Sequence, residues 1–226
     1  MTRTLVLIPT ESERNVLAPL LESTLRADDQ LELCGFGLVA AAALTAQIIA
    51  DLRPERVLLV GIAGTFSCNL PVASATAFDE VACYGIGAGS GEEHRTAGDM
   101  GWNHVGGRVS DTNIRGPVIA DAITLQEPRS AGPVDQSCQL LSVTAVSADS
   151  KETAIRRQRF PRAMAEDMEG FAVAMACRLA AVPVTVVRGI SNEVGDCNVA
   201  NWQIKLALEA AADLTMKVLD RRSGSA

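Results

Sequence analysis

Three short runs of aliphatic and β-branched residues, 4–8 (TLVLI), 56–60 (RVLLV) and 183–190 (PVTVVRGI), carry few polar side chains on either face. A strand that is apolar on both faces has to be covered on both, which is the situation of a strand inside a parallel sheet flanked by helices. Helical periodicity fills the intervals. Residues 11–25 place Val16, Leu20, Leu21 and Leu25 on one stripe, and 39–52 form a strong helix closed by Pro54. Residues 150–159 are a charged helix, 169–181 align Phe171, Ala172, Met175 and Leu179, and 198–220 align Ile204, Leu208, Ala211, Leu214 and Val218. Further strand material lies at 31–35, 70–84 and 140–146. This alternation predicts an α/β fold: a three-layer αβα arrangement around a central mixed, largely parallel sheet. Residues 1–220 are expected to form a single domain, with 221–226 a tail. Residues 85–117 are Gly-rich and polar with little periodicity, and loops of that length are functional or partly mobile.

Composition narrows the partners. The formal net charge is −7, with 27 acidic against 20 basic side chains and no basic block. That balance excludes the electrostatic footprint of a nucleic-acid or anionic-membrane binder and leaves a small molecule as the expected partner. No run approaches the ~20 apolar residues of a membrane span. The six cysteines (34, 68, 83, 138, 177 and 197) form no C-x-x-C pair, so they read as buried small hydrophobes of a reducing compartment, and a cytoplasmic location is expected. His94 and His104 lack the spacing of a zinc helix motif and read as loop or surface residues, so no metal is expected. The glycines at 85, 87, 89 and 91 miss the dinucleotide fingerprint, because no periodic helix follows them.

In parallel sheets ligands bind beyond the carboxyl ends of the strands. Polar and glycine residues stand at those ends here: Thr10 to Arg14 after the first run, Gly61 to Thr65 after the second, and Ser191, Asn192 and Glu193 after the last. Glu166, Asp167, Met168 and Glu169 precede the 169–181 helix. Each has an ordinary reading too. Glu11 or Glu13 can simply favour the positive end of a helix. Gly61 and Gly64 can serve a tight strand-to-helix turn, and Asn192 a turn.

Taken in order, several segments resemble the purine nucleoside phosphorylase and nucleosidase superfamily. They are the GFGLVAAA stretch from Gly35 to Ala42, Gly61-Ile62-Ala63-Gly64, Asp167-Met168-Glu169-Gly170, and Val187-Arg188-Gly189-Ile190-Ser191-Asn192. The resemblance spans residues 4–220. The methylthioadenosine and adenosylhomocysteine nucleosidases carry Asp where this chain has Asn192. The futalosine hydrolases look closer, through Met168-Glu169-Gly170-Phe171, Ile190-Ser191-Asn192-x-Val194-Gly195, Trp202 and the loop over 85–102. That resemblance implies cleavage of futalosine by water to hypoxanthine and dehypoxanthine futalosine, a step of menaquinone biosynthesis. It implies no cofactor and a homo-oligomer, a dimer or larger.

N-glycosidic hydrolysis needs a held ribose, a stabilised leaving purine and an oriented water, around an oxocarbenium-like transition state. Glu169 suits the ribose, since a carboxylate can accept from two hydroxyls. Asn192 suits a 6-oxopurine: its carbonyl accepts from a protonated N7 and its amide donates to O6, whereas an adenine amino group would collide with that amide. At the spacing where the nucleosidases place such a glutamate, Glu13 is the residue expected to activate water, with Glu11 its rival across a two-residue shift. Met168, Ala63, Gly64, Val146, Ser191, Phe171 and Arg188 complete the expected substrate-binding set, Arg188 either as an ion-pair partner of Glu169 or as an ordinary strand-end cation. Trp202 is read as core. No Gly-x-basic phosphate cradle is evident near the N-terminus, which favours water over phosphate as nucleophile.

Overall fold

A computed structural model describes residues 3–111, 116–125 and 138–220. The expected tail at 221–226 lies outside them. The strands are β1 (Thr4–Ile8), β2 (Gln30–Leu33), β3 (Arg56–Thr65), β4 (Ala75–Phe78), β5 (Glu80–Tyr84), β6 (Gly87–Ala88), β7 (Arg95–Thr96), β8 (Ala122–Thr124), β9 (Gln139–Val143), β10 (Ala163–Asp167) and β11 (Val184–Glu193). The helices are α1 (Glu11–Leu21), α2 (Gly37–Leu52), α3 (Ser150–Arg159), α4 (Gly170–Leu179) and α5 (Ile204–Asp220).

Nine strands share one sheet. Its main path runs β2-β1-β3-β10-β9-β5-β8, while β11 pairs with the free edge of β3 and with β4. Pairings β1–β2, β1–β3, β3–β11, β9–β10 and β5–β9 are parallel, and β3–β10, β4–β11 and β5–β8 are antiparallel. The sheet is therefore mixed and largely parallel, as the apolar runs predict.

Period-two alternation inside those runs divides the core. Leu5, Leu7, Val57 and Leu59 face a cluster built with Ala41 and Ile49 of α2 and Phe171, Val173 and Cys177 of α4. Val6, Ile8, Leu58 and Val60 face the opposite layer, with Leu17 and Leu21 of α1 and Leu208 and Ala211 of α5. Both faces are buried by helices, so each Leu→Ala change here would cost about 2–5 kcal/mol.

Local chemistry sets the element ends. Thr10 caps α1, its hydroxyl accepting from the Glu13 amide at 3.3 Å, with Glu11 and Glu13 in the first turn. The helix stops at Leu21 rather than the expected 25, and the chain leaves it through turns in which Glu22 donates to the Ala18 carbonyl and Leu25 to that of Leu21. Helix α2 closes on Arg53 in a left-handed conformation just before Pro54. Asp149 caps α3 by accepting from the Glu152 amide at 2.8 Å.

Two expectations change. Strand β3 does not end at Gly61 but runs to Thr65, paired with β11 throughout. Strand β10 is unforeseen, because its sequence AMAED mixes small and acidic residues that carry no strand signature. Tertiary pairing overrides propensity there, and Glu166 and Asp167 are buried with their charges met by arginines.

These two strands create the site. Along one edge of β3, β1 pairs with residues 56–59 and β10 pairs antiparallel with Gly64 and Thr65. Strands β1 and β10 thus approach head-on, and both carboxyl ends meet beside Gly61, Ile62 and Ala63. A crevice opens where neither strand pairs.

Candidate active site

A cavity of roughly 390 Å³ occupies that crevice, within the ~300–1,000 Å³ range of small-molecule sites. Its walls include Glu13 after β1, Ala63 and Gly64 of β3, Met168 and Glu169 after β10, and Ser191 and Asn192 of β11. Val146, 38 % exposed, lies on its rim. Among the described residues of the 85–117 segment, none lines it.

Glu13 is 6 % exposed and fixed at both oxygens. One accepts from the Ile62 amide at 3.1 Å and the other from the Thr10 hydroxyl at 2.6 Å. Glu11 is exposed and pairs with Arg14 at 3.4 Å. The first turn of α1 points Glu13, and not Glu11, into the cavity.

Glu169 is the N-cap residue of α4 and is buried. Its Oε1 accepts from the Gly37 amide at 3.0 Å and its Oε2 from Arg188 at 3.2 Å. Each oxygen keeps a second acceptor direction. Burial pushes its carboxyl up to about 7, assisted by the Asp167 and Glu13 charges, while Arg188 and the Gly37 amide pull the other way.

Arg188 and Phe171 depart from the expected substrate-binding set, because neither lines the cavity. Arg188 is wholly buried behind Glu169. It donates to Asp167 from Nε at 3.0 Å and from Nη2 at 2.6 Å, and reaches Glu169 with the same Nη2. Burial opposes its charge, but Asp167, Glu169 and Glu13 together hold its pKa above the ordinary value. Of the two readings of Arg188, the ion pair is the one present. Phe171 points into the core between the sheet and α4, its ring 5.0 Å from that of His104.

Gly61 and Gly64 are explained by space and not by a turn; neither has a positive φ. A Cβ on Gly61 would lie 2.2 Å from Arg188 Nη1 and 2.8 Å from Glu13 Oε1. One on Gly64 would lie 3.2 Å from Asn192 Nδ2. Both glycines let functional side chains cross the strand.

Asn192 sits past an irregularity in the β3–β11 register. Its Nδ2 donates to the Glu193 carbonyl at 2.9 Å, and its Oδ1 accepts from the Ser191 hydroxyl at 2.8 Å. A backbone carbonyl can only accept, so this contact fixes which end of the amide is nitrogen. One amide hydrogen and one carbonyl lone pair remain for a ligand.

Trp202, expected in the core, is half-buried and lines the cavity, its indole N–H held by the Asp196 carbonyl at 2.8 Å. Ser147, next to the expected Val146, also lines it, as do Thr10 and Phe36, which were not assigned to the site beforehand. A polar residue after a strand was the available signal for Thr10. His94 and His104 lie in loops as expected; His94 is buried and His104 half-buried, paired with Asp121 at 3.1 Å. Cys34, Cys83 and Cys177 are buried, and burial pushes each thiol up to about 12; Cys68 and Cys197 are exposed, against expectation. Among the described residues no His, Cys, Asp and Glu cluster could hold a metal, and no helix is long and apolar enough to cross a membrane.

Comparison with known proteins agrees with this architecture. The family model described as "Phosphorylase superfamily" matches residues 31–221. A futalosine hydrolase of Streptomyces coelicolor is 33% identical over 81% of this chain and 75% of its own length. A 5′-methylthioadenosine/S-adenosylhomocysteine nucleosidase of a Geobacillus species is 27% identical over 92% of this chain and 89% of its own. Two solved structures share the fold. The corresponding nucleosidase of Neisseria meningitidis, in complex with methylthio-immucillin-A, has a TM-score of 0.71 at 18% identity, covering 98% of this chain and 100% of its own. The native futalosine hydrolase of Helicobacter pylori also has a TM-score of 0.71, at 17% identity, covering 97% and 99%. The family match over most of the chain, on a sheet whose strand ends build one nucleoside-sized cavity, establishes that this chain belongs to the phosphorylase superfamily.

Proposed function

We propose that the protein is a futalosine hydrolase, an N-glycosyl hydrolase that uses water to release hypoxanthine and leave dehypoxanthine futalosine. Support comes from the S. coelicolor relative of that name and from the three polar side chains, Glu13, Glu169 and Asn192, that share one cavity. The observation that carries the base assignment is the orientation of Asn192. With Nδ2 held by the Glu193 carbonyl, its free N–H and free lone pair match O6 and a protonated N7 of hypoxanthine. Turning the amide to suit adenine would set Oδ1 against that carbonyl.

In this reading Glu169 accepts from the ribose diol with its two remaining lone pairs, and its negative charge favours the cationic sugar. Glu13, held by Ile62 and Thr10, orients and deprotonates the attacking water. Asn192 stabilises the departing base. Ala63, Gly64, Val146, Met168 and Ser191 shape the walls, and Arg188 acts through Glu169. The same reading makes the ligand a purine nucleoside, the pathway menaquinone biosynthesis, the location cytoplasmic and the assembly a homo-oligomer.

The test is incubation with futalosine in phosphate-free buffer, with chromatographic detection of hypoxanthine. Release of adenine from methylthioadenosine in preference, the activity named for the Geobacillus relative, would overturn the base assignment. Strict dependence on phosphate would overturn hydrolysis.

A further inference from the structure

Besides the Arg188–Asp167 pair behind Glu169, a second buried ion pair adjoins the cavity, between Arg156 of α3 and Glu166 of β10. Their Nη1 and Oε2 atoms are 2.7 Å apart, and both side chains are 3 % exposed. Hydrolysis as described above has no task for it. Apart from a bond to Glu152, its hydrogen bonds go to one piece of cavity wall, residues 145–148. Glu166 Oε1 accepts from the Ser147 amide at 2.7 Å and Oε2 from the Ser147 hydroxyl at 3.0 Å. Arg156 Nη2 donates to the Ala145 carbonyl at 2.9 Å and to Glu152 at 2.6 Å. The other oxygen of Glu152 accepts from the Ala148 amide at 3.0 Å.

Four backbone groups or hydroxyls of a loop with no regular structure are thus held by one charged chain, Glu152–Arg156–Glu166. That loop carries Val146 and Ser147 into the cavity. Glu166 also pairs in register with Gly64, where an added Cβ would meet the Asn192 carboxamide at 3.2 Å, so the anchor stands at the base-reading end. The thiol of Cys197 reaches the Ser147 carbonyl at 3.4 Å, tying the wall to the turn that follows Asn192.

We infer that Arg156 and Glu166 are positioning residues for the leaving-base subsite, holding the Ala145–Ser147 wall at a fixed distance from Asn192. The inference rests on the nucleoside-hydrolase reading. A buried pair need not add stability, since replacing both charges by apolar groups of similar volume is often neutral. Its use here is geometric: an irregular loop has no ladder of its own to define its place.

The double variant Arg156→Met/Glu166→Leu tests this. The melting temperature is expected to fall, because the Ser147 amide and hydroxyl and the Ala145 carbonyl lose their partners. The fold is kept, KM for the nucleoside and Kd for the free purine both rise about tenfold, and kcat stays within about threefold. Unchanged KM and purine affinity, or a fall in kcat alone, would refute the assignment. Should the double variant not fold, Glu166→Gln carries the test. Its amide oxygen can still accept from Ser147 but lacks the charge that holds Arg156, and a rise of about threefold in KM and purine Kd is expected; no rise refutes it. Arg156→Lys should recover part of the affinity relative to Arg156→Met. The nucleoside used is whichever one the native enzyme cleaves. A native enzyme that releases adenine therefore sinks the 6-oxopurine reading and leaves the anchoring test intact.

Discussion

Replacing Asn192 by Asp changes one atom type and should invert base preference. The structure gives two consequences. The first is common to every substrate: the Glu193 carbonyl, now bonded by Nδ2 at 2.9 Å, faces a carboxylate oxygen. Losing that bond and setting two acceptors together in a half-buried place costs about 1–3 kcal/mol. The protonated carboxyl can still donate to Glu193, so the site favours the neutral acid and the new group's pKa is raised. The second consequence depends on the base. A 6-oxopurine loses the donor to O6 and meets an anionic or lone-pair-bearing oxygen instead, worth about 2–4 kcal/mol, or ~30- to 1,000-fold in kcat/KM. A 6-aminopurine meets an acceptor for its amino group and escapes this second loss. Steady-state kcat/KM for futalosine and for methylthioadenosine, measured on native and variant enzyme, gives the ratio directly. A shift of at least ~30-fold toward the adenine nucleoside is expected. An equal loss for both nucleosides, or an unchanged ratio, would show that Asn192 does not read the base.

Other outcomes follow from the same geometry. Glu13→Gln should lower kcat about 10²–10⁴-fold with little change in KM, whereas Glu11→Gln, at an exposed position, should leave both near native values; equal losses would reopen the choice of base. With the Glu169 carboxyl pushed up to about 7, log kcat/KM should rise with pH and level off above about 7, because the form that grips the diol is the ionised one. Stability should move oppositely. A carboxyl whose folded pKa lies above its unfolded value loses stabilisation as pH rises between the two, so native protein should weaken relative to Glu169→Gln between about pH 4.5 and pH 7 in parallel urea titrations. Gly61→Ala would drive a methyl to within 2.2 Å of Arg188 Nη1; a loss of more than about 2 kcal/mol in urea unfolding, together with loss of activity, is expected.

Much of this molecule was legible in its residues because the signals were local. Apolar runs with no polar face specify buried strands, and Leu5/Leu7 against Val6/Ile8 divide between the two helical layers by simple alternation. Pro54 marks a helix end in the sequence itself. Glu13 and Asn192 could be named because each follows an apolar run, and Glu169 because it stands at the start of a helical stretch; the resemblance assigned their tasks. What failed was non-local. Strand β10 has no strand-like sequence and exists because β3 and β9 supply partners and Arg156 and Arg188 neutralise its acids. Phe171 and Trp202 exchanged places relative to expectation, since an aromatic residue's side of a wall depends on what packs behind it.

The amino-acid order alone determined the layered fold, the ends of the strands as the place to look, and three polar residues that line one cavity. Tertiary structure alone decided that β1 and β10 meet head-on, that Glu13 and not Glu11 enters the crevice, and that the Asn192 amide has a single orientation. The division has a physical cause. Periodicity and capping act within a turn or a strand, whereas a cavity is defined by side chains that approach across more than a hundred residues of chain, as Glu169 and the Gly37 amide do, 132 positions apart.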